Sequence, residues 1–316
     1  MNAAVAVPVS IRGRSFTSFA WGVLAWNVLV VLWGAYVRAS GSGAGCGNHW
    51  PLCNGEVVPR APEIATIIEF THRLMSGVAF FGVAALAWWS LRLFPRGHRG
   101  RRMAIASLVF LILEALLGAG LVLFDYVGGN NSVGRALYLS LHLVNTQLLL
   151  GSLTLAAWYS REEHQLPRSI PRVVAAALPI ALLVSVMGAI AALGDTLFPA
   201  TSLREGLRQD FSGTAHFLLR LRIFHPALAV FAGGLFVATA VWSMKERRSD
   251  ASRMIAFVII GVTLLQLIAG VINIALLAPV WMQILHLLIA DLLWISLVLF
   301  SVESGIRPLM RPAILK

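Results

Sequence analysis

Residues 254–278, MIAFVIIGVTLLQLIAGVINIALLA, decide the fold of this chain, because they carry no charged side chain over a length greater than a membrane span. About 20 mostly apolar residues allow a helix to cross the roughly 30 Å hydrocarbon core of a bilayer. The whole chain of 316 residues has the same character, with 58% hydrophobic residues, 12% charged residues and a mean hydropathy of +0.80. A soluble domain carries about 25% charged residues. An ordinary soluble enzyme and a disordered protein are therefore both excluded.

Seven further stretches have the length and apolarity of a span, so the sequence predicts an all-α integral membrane protein with eight transmembrane helices. Pro279 leaves almost no loop between the last two spans. The predicted spans are residues 16–37, 66–91, 103–124, 136–159, 172–193, 215–244, 254–278 and 280–302.

The distribution of Lys and Arg predicts that both termini are cytoplasmic. Seventeen of the 25 basic residues flank the span ends that this orientation places inside, as the positive-inside rule requires. The net charge of +11 then reflects membrane topology, and no nucleic-acid partner is expected. Cys46 and Cys53 fall in the first outer loop, where a local disulfide can persist and where two cysteines are too few for a zinc site. The first residues show no cleavable signal or transit pattern, which favours a bacterial plasma membrane over a mitochondrial one.

A weak internal repeat divides the spans into two groups of four. Residues 113–118 (LEALLG) resemble residues 265–270 (LQLIAG), and shorter matches surround His72 and His225, and His142 and His286. An even number of spans precedes the second group, so the repeats are parallel. We therefore expect two four-helix bundles, residues 1–160 and 161–316, related by a pseudo-twofold axis along the membrane normal.

Four histidines lie inside spans, two in each half of the chain: His72, His142, His225 and His286. Three of them follow the start of an even-numbered span by six residues and His225 follows by ten, which places them about 9 to 15 Å below the outer surface. Intramembrane ionisable groups usually face a bundle interior, and imidazole is a common axial ligand of haem iron. The pairs His72–His142 and His225–His286 are therefore predicted to bind one haem each. Zinc fits less well because two histidines do not complete its ligand set, and a proton relay stays open as an alternative.

The two predicted haem sites differ in their acidic residues. Glu69 lies three residues before His72, on the same helix face, whereas its counterpart in the repeat is Arg222. This difference suggests that one site performs chemistry and the other carries electrons or stabilises the fold, although a simple ion pair of Glu69 with Arg73 is also consistent with the sequence. Glu114 corresponds to Gln266, which favours a hydrogen-bonding role that either side chain can fill.

Two motifs give the chain a specific resemblance to a known family. Residues 41–55 (GSGAGCGNHWPLCNG), followed by residues 69–73 (EFTHR) and by histidines at the start of the fourth, sixth and eighth spans, resemble haem A synthases. This resemblance covers nearly the whole chain.

The resemblance implies a membrane oxidoreductase that converts haem O to haem A for cytochrome oxidase assembly. Two successive hydroxylations of a ring methyl would give the formyl group. His72 and His142 would flank the substrate haem, and His225 and His286 would bind a haem b near the outer face. Glu69 would be the essential carboxylate, and Cys46 and Cys53 would match the family's disulfide pair.

Two other function classes fit part of the pattern. A di-haem cytochrome b that only transfers electrons explains the histidines and the repeat, but it assigns no task to Glu69 or to the cysteine loop. A transporter explains the parallel repeats and the intramembrane polar groups, and it predicts a colourless protein. The expected partners are the lipid membrane, the haem O substrate, the haem O synthase that makes it and an electron acceptor that no motif identifies. A homo-oligomer is compatible with the sequence.

Overall fold

A computed structural model describes residues 11–161, 170–246 and 249–306. Within these residues the regular elements are helices, apart from one isolated bridge between Cys53 and Glu56. Six of the basic residues that predict the orientation lie outside the described residues: Arg168, Arg247, Arg248, Arg307, Arg311 and Lys316. The α-helices are α1 (Ile11–Ala39), α2 (Ile64–Leu93), α3 (Arg99–Leu123), α4 (Val133–Tyr159), α5 (Arg172–Leu197), α6 (Leu203–Asp210), α7 (Phe217–Arg222), α8 (Phe224–Lys245), α9 (Asp250–Ala275) and α10 (Val280–Glu303).

The eight predicted spans are confirmed in length and composition, since eight helical segments among the described residues are long and apolar enough to cross a membrane. Their ends all lie within four residues of the predicted ends. The sixth span, Phe217–Lys245, is interrupted at Ile223, where α7 ends and α8 begins. Pro226 explains the interruption, because it has no amide hydrogen to donate to the carbonyl of Arg222 one turn earlier.

The short helix α6 lies between the fifth and sixth spans and is absent from the predicted elements. Its first turn is capped by the Ser202 hydroxyl, which accepts a hydrogen bond from the Glu205 amide at 3.2 Å. The Glu205 carboxylate accepts hydrogen bonds from the side chain of Thr201 and from its amide, the latter at 2.8 Å. These two hydrogen bonds lower the pKa of Glu205. Ser202 and Glu205 form a Ser-x-x-Glu capping pattern, which is the sequence signal that could have located α6.

The chain divides into two compact units, Met1–His164 and Gln165–Lys316. In the N-terminal unit α1 to α4 form a closed ring, in which each helix contacts the next and α4 returns to α1. Indole side chains connect the first two helices: Trp26 donates to the carbonyl of Met75 at 3.1 Å, and Trp33 donates to the carbonyl of Ile68 at 3.0 Å. Such hydrogen bonds add specificity where lipid removes most of the hydrophobic driving force between helices.

The C-terminal unit repeats this ring with α5, α8, α9 and α10, while α6 and α7 form the connection from α5 to α8. The turn from α9 to α10 is made by Leu277 and Ala278, which adopt left-handed conformations with φ of 62° and 53°. Pro279 then caps α10. Each unit thus contains a ring of four long helices, whereas the two predicted bundles, residues 1–160 and 161–316, and the axis between them stay predictions.

Candidate functional site

The four intramembrane histidines lie at similar positions in their spans. Each is six to nine residues after the first residue of its helical span, on the second, fourth, sixth and eighth spans. In the C-terminal unit the ring centroids of His225 and His286 are 6.5 Å apart, with an interplanar angle of 89°. In the N-terminal unit His72 and His142 lie close enough to interact electrostatically. The structure thus brings together both pairs that the sequence predicts.

The spacing of the C-terminal pair fits two ligands of one iron. Two imidazoles that bind a metal from opposite sides have centroids about 6 Å apart, because each metal–nitrogen bond is about 2 Å and each nitrogen lies about 1 Å from its ring centre. The observed 6.5 Å agrees with this value.

The hydrogen bonding of the rings also fits a missing ligand. Nδ1 of His72 and Nδ1 of His286 are buried and have no hydrogen-bond partner among the described residues, whereas Nδ1 of His142 lies 3.3 Å from Glu114 and His225 meets the backbone of Val184. A buried polar atom without a partner costs about 1 to 3 kcal/mol. One such atom in each unit is consistent with units that are arranged to bind further groups.

Glycines of the neighbouring helices make room for the rings. A Cβ atom on Gly34 of α1 would lie 2.9 Å from Cε1 of His72, and one on Gly188 of α5 would lie 2.9 Å from Cε1 of His225. Gly270 lies opposite His286 at a tight 3.3 Å, whereas Gly118 lies opposite His142 at 3.8 Å, an ordinary contact distance. These four glycines are absent from the site residues predicted from the sequence. Their recurrence at nearly the same repeat shift as the histidines is the signal that could have found them.

Glu69 is buried at the start of α2, where its side chain is held on both oxygens. Oε1 accepts from Nη2 of Arg73 at 2.5 Å, and Oε2 accepts from the amide of Cys46 at 2.9 Å. The ion pair with Arg73, the simpler of the two interpretations of the sequence, is therefore present. The contact with Cys46 is additional and joins Glu69 to the cysteine loop.

The cysteine loop, residues 41–55, is fixed to α2 by several contacts. Cys46 and Cys53 form the predicted disulfide, with an S–S distance of 1.99 Å. Nη1 of Arg73 donates to the carbonyls of His49 at 2.7 Å and of Leu52 at 2.6 Å. Gly45 packs so closely on α2 that an added Cβ would lie 2.4 Å from the carbonyl carbon of Ala65. The loop is therefore a fixed cover over the N-terminal end of α2, close in sequence to His72.

The corresponding position in the C-terminal unit has different chemistry. Arg222, the counterpart of Glu69, donates to Asp195 at 2.7 Å and to Asp210 at 2.6 Å. This ion-pair network joins α5, α6 and α7. The two units thus share paired histidines, but the buried carboxylate beside the first histidine belongs to the N-terminal unit.

Glu114 and Gln266 each contact the second histidine of their unit. Oε1 of Glu114 lies 3.3 Å from Nδ1 of His142, just outside hydrogen-bond geometry. Nε2 of Gln266 lies 3.1 Å from Nε2 of His286. The predicted hydrogen-bonding role of this position is consistent with both contacts.

Comparison with known proteins adds an independent finding. Residues 17–298 match the family model COX15-CtaA, described as cytochrome oxidase assembly protein. A Thermus thermophilus protein named "Protoheme IX farnesyltransferase" is 48% identical over 291 residues, which are 90% of this chain and 48% of that protein. A "Heme A synthase" of Alkalihalophilus pseudofirmus is 34% identical over 46% of this chain and 47% of its own length. Another "Heme A synthase", from Halalkalibacterium halodurans, is 46% identical over 31% of this chain and 33% of its own. The chain spans about half the length of the Thermus relative.

Proposed function

The chain belongs to the COX15-CtaA family of cytochrome oxidase assembly proteins, and from this premise we propose that it is a haem A synthase. In this proposal it oxidises a ring methyl of haem O to a formyl group through two successive hydroxylations. The observation that carries the proposal is the pairing of buried imidazoles with unpartnered ring nitrogens in each four-helix unit.

The proposal assigns a different haem to each unit. His72 and His142 hold haem O, and later the product haem A, in the N-terminal unit, while His225 and His286 hold haem b in the C-terminal unit. Bound iron porphyrin supplies the oxidising chemistry, and the protein supplies orientation and electrostatics. The acidic residues support this division, because Glu69 and Glu114 lie beside the N-terminal histidines whereas Arg222 and Gln266 occupy the corresponding positions of the other unit.

Glu69 is the candidate catalytic carboxylate. Its two hydrogen bonds hold the carboxylate in one place on α2, one turn before His72. A carboxylate at that place can stabilise positive charge that develops on the methyl carbon or accept a proton when oxygen is added. The cysteine loop covers this end of the helix and limits the access of water.

The proposal also includes a location and partners. We place the enzyme in a bacterial plasma membrane, with both termini in the cytoplasm and both haems near the outer face. Haem O carries a farnesyl group, so its synthesis requires a farnesyltransferase that acts on protohaem. The name and the length of the Thermus relative support a farnesyltransferase partner, because about half of that protein lies outside the aligned region. An electron acceptor is also required.

The experiment is conversion of haem O by the purified protein, with bound haems identified by pyridine haemochrome spectra. We expect a Soret band in detergent and haem A as the product. Glu69→Gln should keep both haems bound and lower the yield of haem A at least about 100-fold, the usual contribution of a general acid or base.

Glu63→Gln is the matched control, because Glu63 is exposed and precedes the same helix. It should convert haem O as the wild type does. A colourless protein would support the transporter instead. Bound haem with an unchanged haem A yield in Glu69→Gln would support an electron-transferring cytochrome b.

A further inference from the structure

The third helix of each unit presents the same two features to the second histidine of that unit. Glu114 and Gly118 lie one turn apart on α3, and both contact the ring of His142. On α9, Gln266 and Gly270 have the same spacing, and both contact the ring of His286. Residues four apart share a helix face. The two side chains meet different ring atoms, since Glu114 lies against Nδ1 of His142 whereas Gln266 lies against Nε2 of His286.

The carboxylate of Glu114 is anchored by α4. Nδ2 of Asn145 donates to Oε2 at 2.6 Å, and the hydroxyl of Thr146 donates to Oε1. Asn145 is itself fixed, since it also donates to the carbonyl of Phe110 at 2.8 Å. Both anchoring residues lie one turn after His142 on the same helix. The carboxylate is thus held against the ring by the helix that carries the ring.

The amide of Gln266 has no such anchor. Its Oε1 is buried without a hydrogen-bond partner in the described part of the chain. The residues three and four positions after His286 are Ile289 and Ala290, which have no side-chain donor. The polar network is therefore specific to the N-terminal unit, and helix packing in general does not explain it.

We propose that Glu114 is a positioning residue for the haem of the N-terminal unit. It accepts the Nδ1 hydrogen of His142, fixes the orientation of the ring and leaves Nε2 for the iron. A carboxylate acceptor raises the basicity of a metal-bound imidazole and is a stronger acceptor than a neutral amide. His142 then donates more electron density to iron than His286 does, so the ferric state is favoured at the site where haem O is oxidised. This inference rests on the proposed function, because it assigns haem O to the N-terminal unit.

The test is a potentiometric titration of both haems in the purified holoprotein, combined with the EPR spectrum of the ferric form. Glu114→Gln should raise the midpoint potential of the N-terminal haem. We expect the ratio of ferric to ferrous haem at a fixed potential to fall about tenfold, which corresponds to about 59 mV for a one-electron couple. The EPR signal of this haem should shift, haem content should stay the same, and the C-terminal haem should not change. Glu114→Asp, which restores a carboxylate, should recover part of the potential.

Asn145→Ala is a second variant, because it removes a hydrogen bond that holds the Glu114 carboxylate, and it should raise the potential of the N-terminal haem. Unchanged potential and EPR spectrum in Glu114→Gln would overturn the inference. If Glu114→Gln does not retain haem, Asn145→Ala decides, and an unchanged N-terminal potential in that variant would then overturn the inference. The proposed function fails separately, because a wild type that binds two haems and converts no haem O still allows both potentials to be measured.

Discussion

At the scale of single residues, the contacts of the four histidines with glycines explain how bulky rings fit between helices. Each ring packs against the backbone of the preceding long helix, where a glycine removes the Cβ atom that would occupy the same space. Glycine in a helix interior costs roughly 0.5 to 1 kcal/mol relative to alanine. The chain accepts this cost at Gly34 and Gly188, where the imagined Cβ is closest to the imidazole.

Gly34→Ala should therefore weaken haem binding in the N-terminal unit. The new methyl group would lie 2.9 Å from Cε1 of His72 and displace the ring. We expect an affinity for haem that is about 10-fold lower, as is typical when residues that orient a metal ligand are changed. Haem stoichiometry by pyridine haemochrome after purification measures the effect.

Gly22→Ala is the control on the same helix, because no atom lies within 4 Å of an added Cβ at that position. It should bind haem as the wild type does. Equal haem content in the Gly34 and Gly22 variants would show that the contact between Gly34 and His72 does not position the ligand.

At the scale of single elements, helix α2 combines two tasks at its N-terminal end. Thr66, Glu69 and Arg73 hold the cysteine loop, with the Thr66 hydroxyl donating to the carbonyl of Gly45 at 2.7 Å. His72 lies between these residues in sequence and faces Gly34 of α1. The helix thus couples the position of a proposed haem ligand to the cysteine loop. In the chain-entropy model, the disulfide that closes this loop raises the free energy of unfolding by about 2 to 3 kcal/mol.

Helix α3 gives a pH-dependent prediction that is independent of the haem sites. Nδ1 of His98 accepts the amide of Gly100 at 3.1 Å and caps the helix, and the ring stacks on Phe94 with centroids 4.2 Å apart. Burial lowers the pKa of His98 below its usual 6.5. As pH falls below 6.5, the unfolded chain takes up a proton before the folded chain does. The free energy of unfolding should therefore decrease progressively as the pH falls below 6.5, because of the lowered pKa of His98.

The variant His98→Asn should remove this part of the pH dependence, because asparagine is a good N-cap and does not titrate in this range. Thermal unfolding of the detergent-solubilised protein at pH 8 and pH 5.5 tests it. The decrease in Tm on acidification should be smaller in the variant than in the wild type. An equal decrease in both proteins would contradict the prediction.

At the scale of the whole molecule, the chain uses one four-helix plan twice with different polar groups. Both units close a ring of four long helices and pair two histidines. Two carboxylates, the buried Glu69 and the partly exposed Glu114, accompany the N-terminal pair, whereas an ion-pair network and an amide accompany the C-terminal pair. Duplicated scaffolds with different side chains are a common way to place two functions on one fold.

Single histidine variants should separate the two sites. If the proposed assignment holds, His225→Ala and His286→Ala should remove haem b, because two histidines would hold it, whereas His72→Ala and His142→Ala should reduce the content of haem O or haem A. Haem type and amount in each purified variant measure this. His216→Asn is a control, since His216 caps α7 and asparagine retains the cap. Loss of the same haem in all four variants would contradict two separate sites.

The amino-acid sequence by itself determined the eight spans, the helical repeat, the position of the histidines along their spans and the disulfide partners. These features depend on local properties: apolar length sets a span, residue spacing sets the position along it, and two cysteines in one short loop have one pairing. The interruption of the sixth span at Ile223 also follows from a local rule, because Pro226 has no amide hydrogen to donate to the carbonyl of Arg222 one turn earlier.

The tertiary structure alone decided which polar groups meet. The Glu69 carboxylate accepts a hydrogen bond from the amide of Cys46, and Arg73 donates to a carbonyl of the cysteine loop. The carboxylate of Glu114 lies against the ring of His142. The packing of each histidine ring against a glycine is likewise a contact between two helices. Such contacts join residues that are distant in sequence, and they depend on how helices rotate and approach one another, which spacing along one helix does not specify.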